Sequence, residues 1–207
     1  MITLDFLALV ILVSVSGVLG PGPLFVSSTL RATRLGVLSG LESALGHTVV
    51  EAPLVFGLAF GLSAILNSTS LRLIALLGGS VLVAFAAIQF RQAAHVVDID
   101  AKGLPGQWEK RSGIVLGLVF TALNPFFILW WLTVGSALIS QALILGSIGG
   151  VALMYASHIW MDYAWLGGTA AVAGRGGLLL GKWFRALLIG FGVAMACFGI
   201  TFILSAL

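Results

Sequence analysis

Four residues, Gly20-Pro21-Gly22-Pro23, interrupt an apolar run that extends from Leu4 to about Leu30. A run of that length can cross a bilayer, which takes about 20 apolar residues. Each proline lacks a backbone N–H and clashes with the preceding turn, and each glycine admits backbone angles that other residues avoid. The helix is therefore expected to break or kink here, freeing carbonyl and amide groups at membrane depth. Such groups are tolerated only where they are buried in protein or line a wet cavity. The chain repeats the device at Asn124-Pro125. Together the two breaks are expected to form the two walls of one site.

The rest of the chain suits a membrane as well. Of 207 residues, 60% are hydrophobic and only 8% charged, against about 25% charged in a soluble domain. In a soluble protein the net charge of +3 would suggest a nucleic-acid partner. Here the retention of basic residues on the cytoplasmic side of a membrane explains it better, and no nucleic acid is expected. The single cysteine, Cys197, excludes an intramolecular disulfide and any CxxC motif. The N-terminus carries Asp5 rather than a basic stretch, and its apolar run is too long for a signal-peptide core, so it is expected to remain as a span.

Six apolar segments are expected to be transmembrane helices: roughly 4–27, 37–62, 72–92, 113–136, 142–166 and 184–206. The expected fold is an all-α membrane protein. Nine of the ten basic residues fall in or beside the first, third and fifth connectors: Arg31, Arg34, Arg91, Lys102, Lys110, Arg111, Arg175, Lys182 and Arg185. That side should be the cytoplasm, with both termini outside and the protein in the cell (inner) membrane. The fourth connector is expected near Ser140. The long third connector, 93–112, holds Asp98, Asp100, Pro105 and Gly106 and is expected to be a solvated cytoplasmic linker. It separates two three-helix units, 1–92 and 113–207. With three spans in each, the second enters from the opposite face, giving two inverted three-helix repeats with the site at the midplane between them.

Each middle span has a histidine followed four residues later by an acid: His47 and Glu51, then His158 and Asp162. Residues i and i+4 share a helix face. An acid at the membrane centre costs about 2.5–3.5 kcal/mol on insertion scales, and spending that twice suggests use. The alternative is a pair of polar links that only hold helices together. Burial disfavours the charged form of a carboxylic acid, and histidine titrates near neutrality. At least one of Glu51 and Asp162 is therefore expected to bind a coupled proton, with His47 and His158 tuning or relaying it. Two histidines and two acids would also suit a divalent ion, although nothing in the spacing requires one and no resident metal is expected.

Other positions admit two readings. Glu42, half a turn out of phase with Glu51, is expected to snorkel or to form a rim ion pair with Arg31 or Arg34. The Asn124 amide either binds backbone groups freed at Pro125 or simply caps the helix. Trp130 and Trp131 belong to the outer aromatic belt or close the site from outside, with the belt favoured. Tyr155, on the face of His158 and Asp162, is a substrate contact or a core residue. Glycines at four-residue spacing (Gly36/Gly40, Gly57/Gly61, Gly113/Gly117, Gly146/Gly150) suit close helix packing, within one chain or in a homodimer. No HExxH zinc motif, GxSxG nucleophile turn or phosphate-binding loop occurs, so no enzyme and no cofactor are expected.

The order of these pieces resembles the lysine exporter family (LysE/RhtB type) of small amino-acid exporters. The matching pieces are Pro21-Gly22-Pro23 with Gly36-x-x-x-Gly40, Gly46-His47 with Glu51 and Pro53, Thr121 to Pro125 with Trp130-Trp131, and His158 to Asp162. The resemblance covers essentially the whole chain. It implies a six-span inner-membrane exporter driven by the proton gradient. The substrate would be an amino acid or similar small zwitterion held by the helix breaks and the His–acid pairs: Pro21, Gly22, Pro23, His47, Glu51, Asn124, Pro125, His158 and Asp162. Export of a divalent metal or another small ion, or a membrane-embedded role without transport, are the alternatives.

Overall fold

The computed structural model describes residues 2–20, 22–65, 68–94, 111–175 and 182–206, and every element among them is helical. The Thr3 hydroxyl caps the first helix, accepting the Phe6 N–H at 3.3 Å, and α1 runs Leu4–Val18. The apolar run then breaks. Gly22 is extended (φ −95°, ψ −177°) and Pro23 takes the first position of α2, Pro23–Leu35, where a missing N–H costs nothing. The two helices are bent by 74°. Pro21 lies outside the described residues. Arg31 and Arg34, expected in a connector, are part of α2.

Gly36 (φ 57°, ψ −140°) alone separates α2 from α3, Val37–Ile65. A positive φ is open to glycine without the steric cost a side chain brings, and the chain reverses here. Ser39 Oγ donates to the Ser28 carbonyl at 2.8 Å, although eleven residues of straight helix would hold them about 16 Å apart. Helix α4 follows at Ser68–Ala94. The linker beyond it, with Lys102 and Lys110, lies almost wholly outside the described residues.

The second half opens with α5, Gly113–Ala122, and breaks at Leu123-Asn124. Pro125 starts the short α6, Pro125–Trp130. A π-helical turn, Trp131–Gly135, then leads into α7, Ser136–Gly174. The segment Phe126–Gly174 has 49 apolar-rich residues. At 1.5 Å per residue it would measure about 70 Å if straight, against about 30 Å of bilayer core. It is not straight: Gly146 (φ −158°, ψ 19°) and Ser147 (φ 52°, ψ −148°) leave the helical region. A Cβ placed on Gly150 would be 2.3 Å from the Ala142 carbonyl oxygen, so the two arms of α7 fold back on each other. This corrects the expected fourth connector. Ser140 is buried and helical, donating to the Ser136 carbonyl, and the reversal comes at Gly146-Ser147. Helix α8, Lys182–Ala206, closes the chain.

Among the described residues, three segments are long and apolar enough to cross a membrane: Val37–Leu62, Arg72–Arg91 and Phe126–Gly174. The bent pair α1–α2, taken as one span, would make a fourth. Lipid is as apolar as a leucine side chain, so helix association rests on close packing rather than on hydrophobic transfer. Glycines supply it. A Cβ on Gly46 would be 2.1 Å from the Ile114 carbonyl, and one on Gly117 would be 2.3 Å from that of Ser43, so α3 and α5 touch backbone to backbone. Gly40 sits equally close to the Leu166 carbonyl of α7, and Gly79 of α4 and Gly199 of α8 each face the other's carbonyl. Gly57 and Gly61 have no such neighbour. The main core holds Val10, Val13, Leu82, Leu138, Met154 and Met195.

The contrast is measurable. Gly46→Ala forces a methyl group into backbone that cannot rotate away, and should cost about 1–3 kcal/mol, the usual range for overpacking. Gly57→Ala, with open space around it, should be neutral or stabilising by up to about 1 kcal/mol through helix propensity. Thermal melts of the detergent-solubilised variants check both.

Candidate functional site

Helix α3 and the second arm of α7 run antiparallel. Gly40 meets Leu166, the Thr48 and Tyr163 hydroxyls share a hydrogen bond of 3.0 Å, and Glu51 meets His158. With the i, i+4 pair of each helix turned to this seam, the crossing gathers both histidines and both acids into one cluster. His47 Nε2 is 3.0 Å from Glu51 Oε1 and 3.8 Å from Asp162 Oδ1. His158 Nε2 is 3.3 Å from Glu51 Oε1 and 3.5 Å from Asp162 Oδ2. Each histidine thus faces the acid of its own helix and that of the opposite helix. All four residues are buried, with Glu51 only 1% exposed.

Two further groups orient the cluster. Trp131 Nε1–H donates to Glu51 Oε1 at 3.0 Å, and His47 Nδ1 shares a 2.9 Å hydrogen bond with Thr121 Oγ1 on α5. The tryptophan reaches Glu51 from the π-helical turn, and Gly135 leaves room for its ring: a Cβ there would be 2.2 Å from Trp131 Cε3. This overturns the favoured placement of Trp130 and Trp131 in an exposed belt. Both are buried, and Trp130 Nε1–H donates to Ser16 Oγ of α1 at 3.3 Å. The Tyr155 ring lies against those of His158 and Phe56.

The cluster opens on a cavity of about 420 Å³, within the usual range for small-molecule sites. Gly22 and Pro23 from the first break line it, as does Asn124 from the second. The breaks adjoin, since a Cβ on Gly22 would be 3.7 Å from Asn124 Nδ2. The two helix starts differ. Asn124 Oδ1 caps α6 by accepting the Phe126 N–H at 3.0 Å, whereas Gly22 gives α2 no side-chain cap. Phe85, Ile88, Phe126 and Trp165 form apolar walls, and buried Gln89 is a polar lining residue with no obvious sequence signal. No lysine or arginine is among the described lining residues. Of the nine residues expected at the site, Gly22, Pro23, His47, Glu51, Asn124, His158 and Asp162 line this cavity; Pro125 starts α6 beside it. Thr121 and Trp131 join them, although composition alone marks neither as a partner of the cluster.

Glu42 is elsewhere, as its helical phase predicts. It pairs with Arg31 at 3.4 Å and accepts the Gly113 N–H at 2.9 Å. Arg31 also donates to the Arg111 carbonyl.

Among the described residues, His47, Glu51 and Asp162 have potential ligand atoms within 4.8 Å of one another and form a group that could hold a metal ion. The cluster can otherwise exchange protons among its carboxyl and imidazole groups and bind a cationic group from the cavity.

Apolar helices of spanning length, folded around a buried acid–histidine cluster and an internal cavity, define a multi-pass membrane protein. The family model for LysE type translocators matches residues 15–206. The chain belongs to that family, and is thus a membrane transporter. Neither a curated protein nor a solved structure matches it.

The hydrogen bonds at the cluster rank the two tryptophans. Trp131→Phe removes a donor to a buried carboxylate and should cost about 1.5–3 kcal/mol, whereas Trp130→Phe removes a neutral bond and should cost about 0.5–1.5 kcal/mol. Melting of the purified variants, with intrinsic fluorescence to confirm the fold, checks the order.

Proposed function

We propose that the protein is a proton-coupled exporter of an amino acid or similar small zwitterion in the cell (inner) membrane. The observation that carries this reading is the meeting of two buried carboxylates from α3 and α7 at a cavity walled by both helix breaks. Glu51 and Asp162 attract the substrate's ammonium group. Its carboxylate meets no lysine or arginine among the described lining residues, and turns to the uncapped start of α2, whose dipole favours negative charge. Protonation of either acid cancels its pull on the ammonium group. Proton and substrate therefore compete for the same carboxyl groups, which couples release of one to entry of the other. His47 and His158, in contact with both acids, relay or tune that exchange.

Alternation between faces is proposed to come from two inverted repeats, 1–92 and 113–207, joined by a cytoplasmic linker, 93–112. Three features support it. Gly36 and Ser147 have nearly the same positive-φ backbone, and His47 and His158 each follow by the same eleven residues. The α3–α7 crossing is reciprocal: His47 faces Asp162 as His158 faces Glu51. Each half also restarts a helix with proline at its first position. For topology, Arg31, Glu42 and Arg111 meet at one end of the bundle, and Gly174, next to Arg175, packs on Ala32 and Gly36 at the same end. That basic end is proposed to face the cytoplasm, with both termini outside.

Flux driven by a pH gradient into proteoliposomes, screened over amino acids, tests the mechanism. Glu51→Gln and Asp162→Asn keep side-chain volume but remove the titrating groups, and should each abolish coupled transport. Glu42→Gln, off the cluster, should have only a mild effect on coupled transport. Wild-type coupling in both site variants would show that the acids are structural. Orientation is checked separately in a Cys197→Ala background. A cysteine replacing Lys102 should resist a membrane-impermeant thiol reagent in intact cells, and labelling from outside would reverse the topology.

A further inference from the structure

The same four side chains have the chemistry of a metal site, and three of them, His47, Glu51 and Asp162, also have its spacing, with ligand atoms within 4.8 Å of one another. In a tetrahedral zinc centre, nitrogen and oxygen ligands about 2.0–2.2 Å from the ion lie about 3.3–3.6 Å from one another. The contacts across the cluster are 3.0, 3.3, 3.5 and 3.8 Å. Two imidazoles and two carboxylates suit a first-row transition ion, whereas Ca2+ needs six to eight oxygens and Mg2+ an octahedral shell kept largely as water. The outer contacts are those of a ligand set. His47 uses its other nitrogen to bond Thr121, and Trp131 holds Glu51; such bonds orient metal ligands and tune their affinity. Glu51 Oε2 and Asp162 Oδ2 are buried with no hydrogen-bond partner among the described residues, and Asp162 Oδ2 makes only the 3.5 Å ion-pair contact with His158.

We propose that His47, Glu51, Asp162 and His158 bind one divalent transition-metal ion, with Zn2+ the best fit. His47, Glu51 and Asp162 are the fixed ligands. His158, whose Nδ1 has no protein partner, is the exchangeable fourth. The ion replaces the proton shared between His47 and Glu51, and binding releases protons to solvent. Because it occupies the carboxyl groups facing the cavity, the ion excludes an ammonium group from them. This inference uses the residues of the transport reading but does not require amino-acid or proton transport, and its test measures neither.

Tag-free protein carrying Cys197→Ala and His95→Gln, which remove the lone thiol and the remaining histidine, is titrated in detergent with Co2+ and then Zn2+. The expected result is one equivalent of Co2+ with the intense visible bands of tetrahedral coordination, displaced by Zn2+. Asp162→Asn should abolish the bands. Thr121→Val, which removes the hydrogen bond to His47 Nδ1, should weaken Co2+ binding about 10–100-fold. Absence of a stoichiometric tetrahedral spectrum in the folded protein overturns the proposal, whatever the variants do. So does an unchanged affinity in Thr121→Val, a variant that can be judged by its metal-free melt if Asp162→Asn does not fold.

Discussion

A carboxyl group buried among apolar helices must find partners inside the protein, and the contact that provides them for Glu51 is the crossing of α3 with the second arm of α7. Glu51 Oε1 meets His47 on its own helix, His158 on the facing helix and Trp131 from the π-helical turn. Removing one partner of a buried polar pair leaves the other with its full desolvation cost. The cluster therefore holds α3, α5, the π turn and α7 in one relative position. The cavity lies beside it, with Gly22-Pro23 and Asn124 of the two breaks in its wall.

Glycine makes this geometry reachable. Imidazole and carboxyl groups meet at about 3 Å only if the helices carrying them approach more closely than large side chains allow. Gly40 against Leu166 and the reciprocal Gly46 and Gly117 provide that approach on the N-terminal side of His47 in α3. Small residues beside a polar layer thus perform two tasks at once: they supply the van der Waals contact that membrane helices depend on, and they set the distance at which the polar groups bond. The same pattern without polar groups joins α4 to α8 at Gly79 and Gly199.

Much of this was legible in the residues. The two His–acid pairs announce themselves because an i, i+4 spacing puts both groups on one face of an apolar helix, and the prolines announce the breaks because they remove donors. What local pattern could not supply was phase and direction. Trp131 has the composition of a belt residue, and only the π turn rotates it inward to Glu51. The reversal at Gly146-Ser147 leaves no dip in hydropathy because both arms stay apolar, so Ser140 was the more plausible turn by composition. Its one trace is spacing, since Ser147 precedes His158 by the same interval that separates Gly36 from His47. Arg31 and Arg34 resembled loop residues because a short polar helix and a connector share a composition. Thr121 and Gln89 are ordinary residues until the fold places them beside His47 and the cavity.

The central claim is that Glu51 and His158 bond across two helices as parts of one unit. A double-mutant cycle on thermal stability addresses it directly, using Glu51→Gln, His158→Gln and the double variant in the same detergent. Residues that share a buried network show interaction energies of about 0.5–3 kcal/mol, whereas independent sites add within about 0.3–0.5 kcal/mol. The structure predicts coupling above 1 kcal/mol (about the middle of the range for contacting residues), with the double variant less destabilised than the sum of the single ones. Simple additivity would mean that the two side chains do not meet, and would contradict the α3–α7 crossing on which the cavity and its chemistry depend.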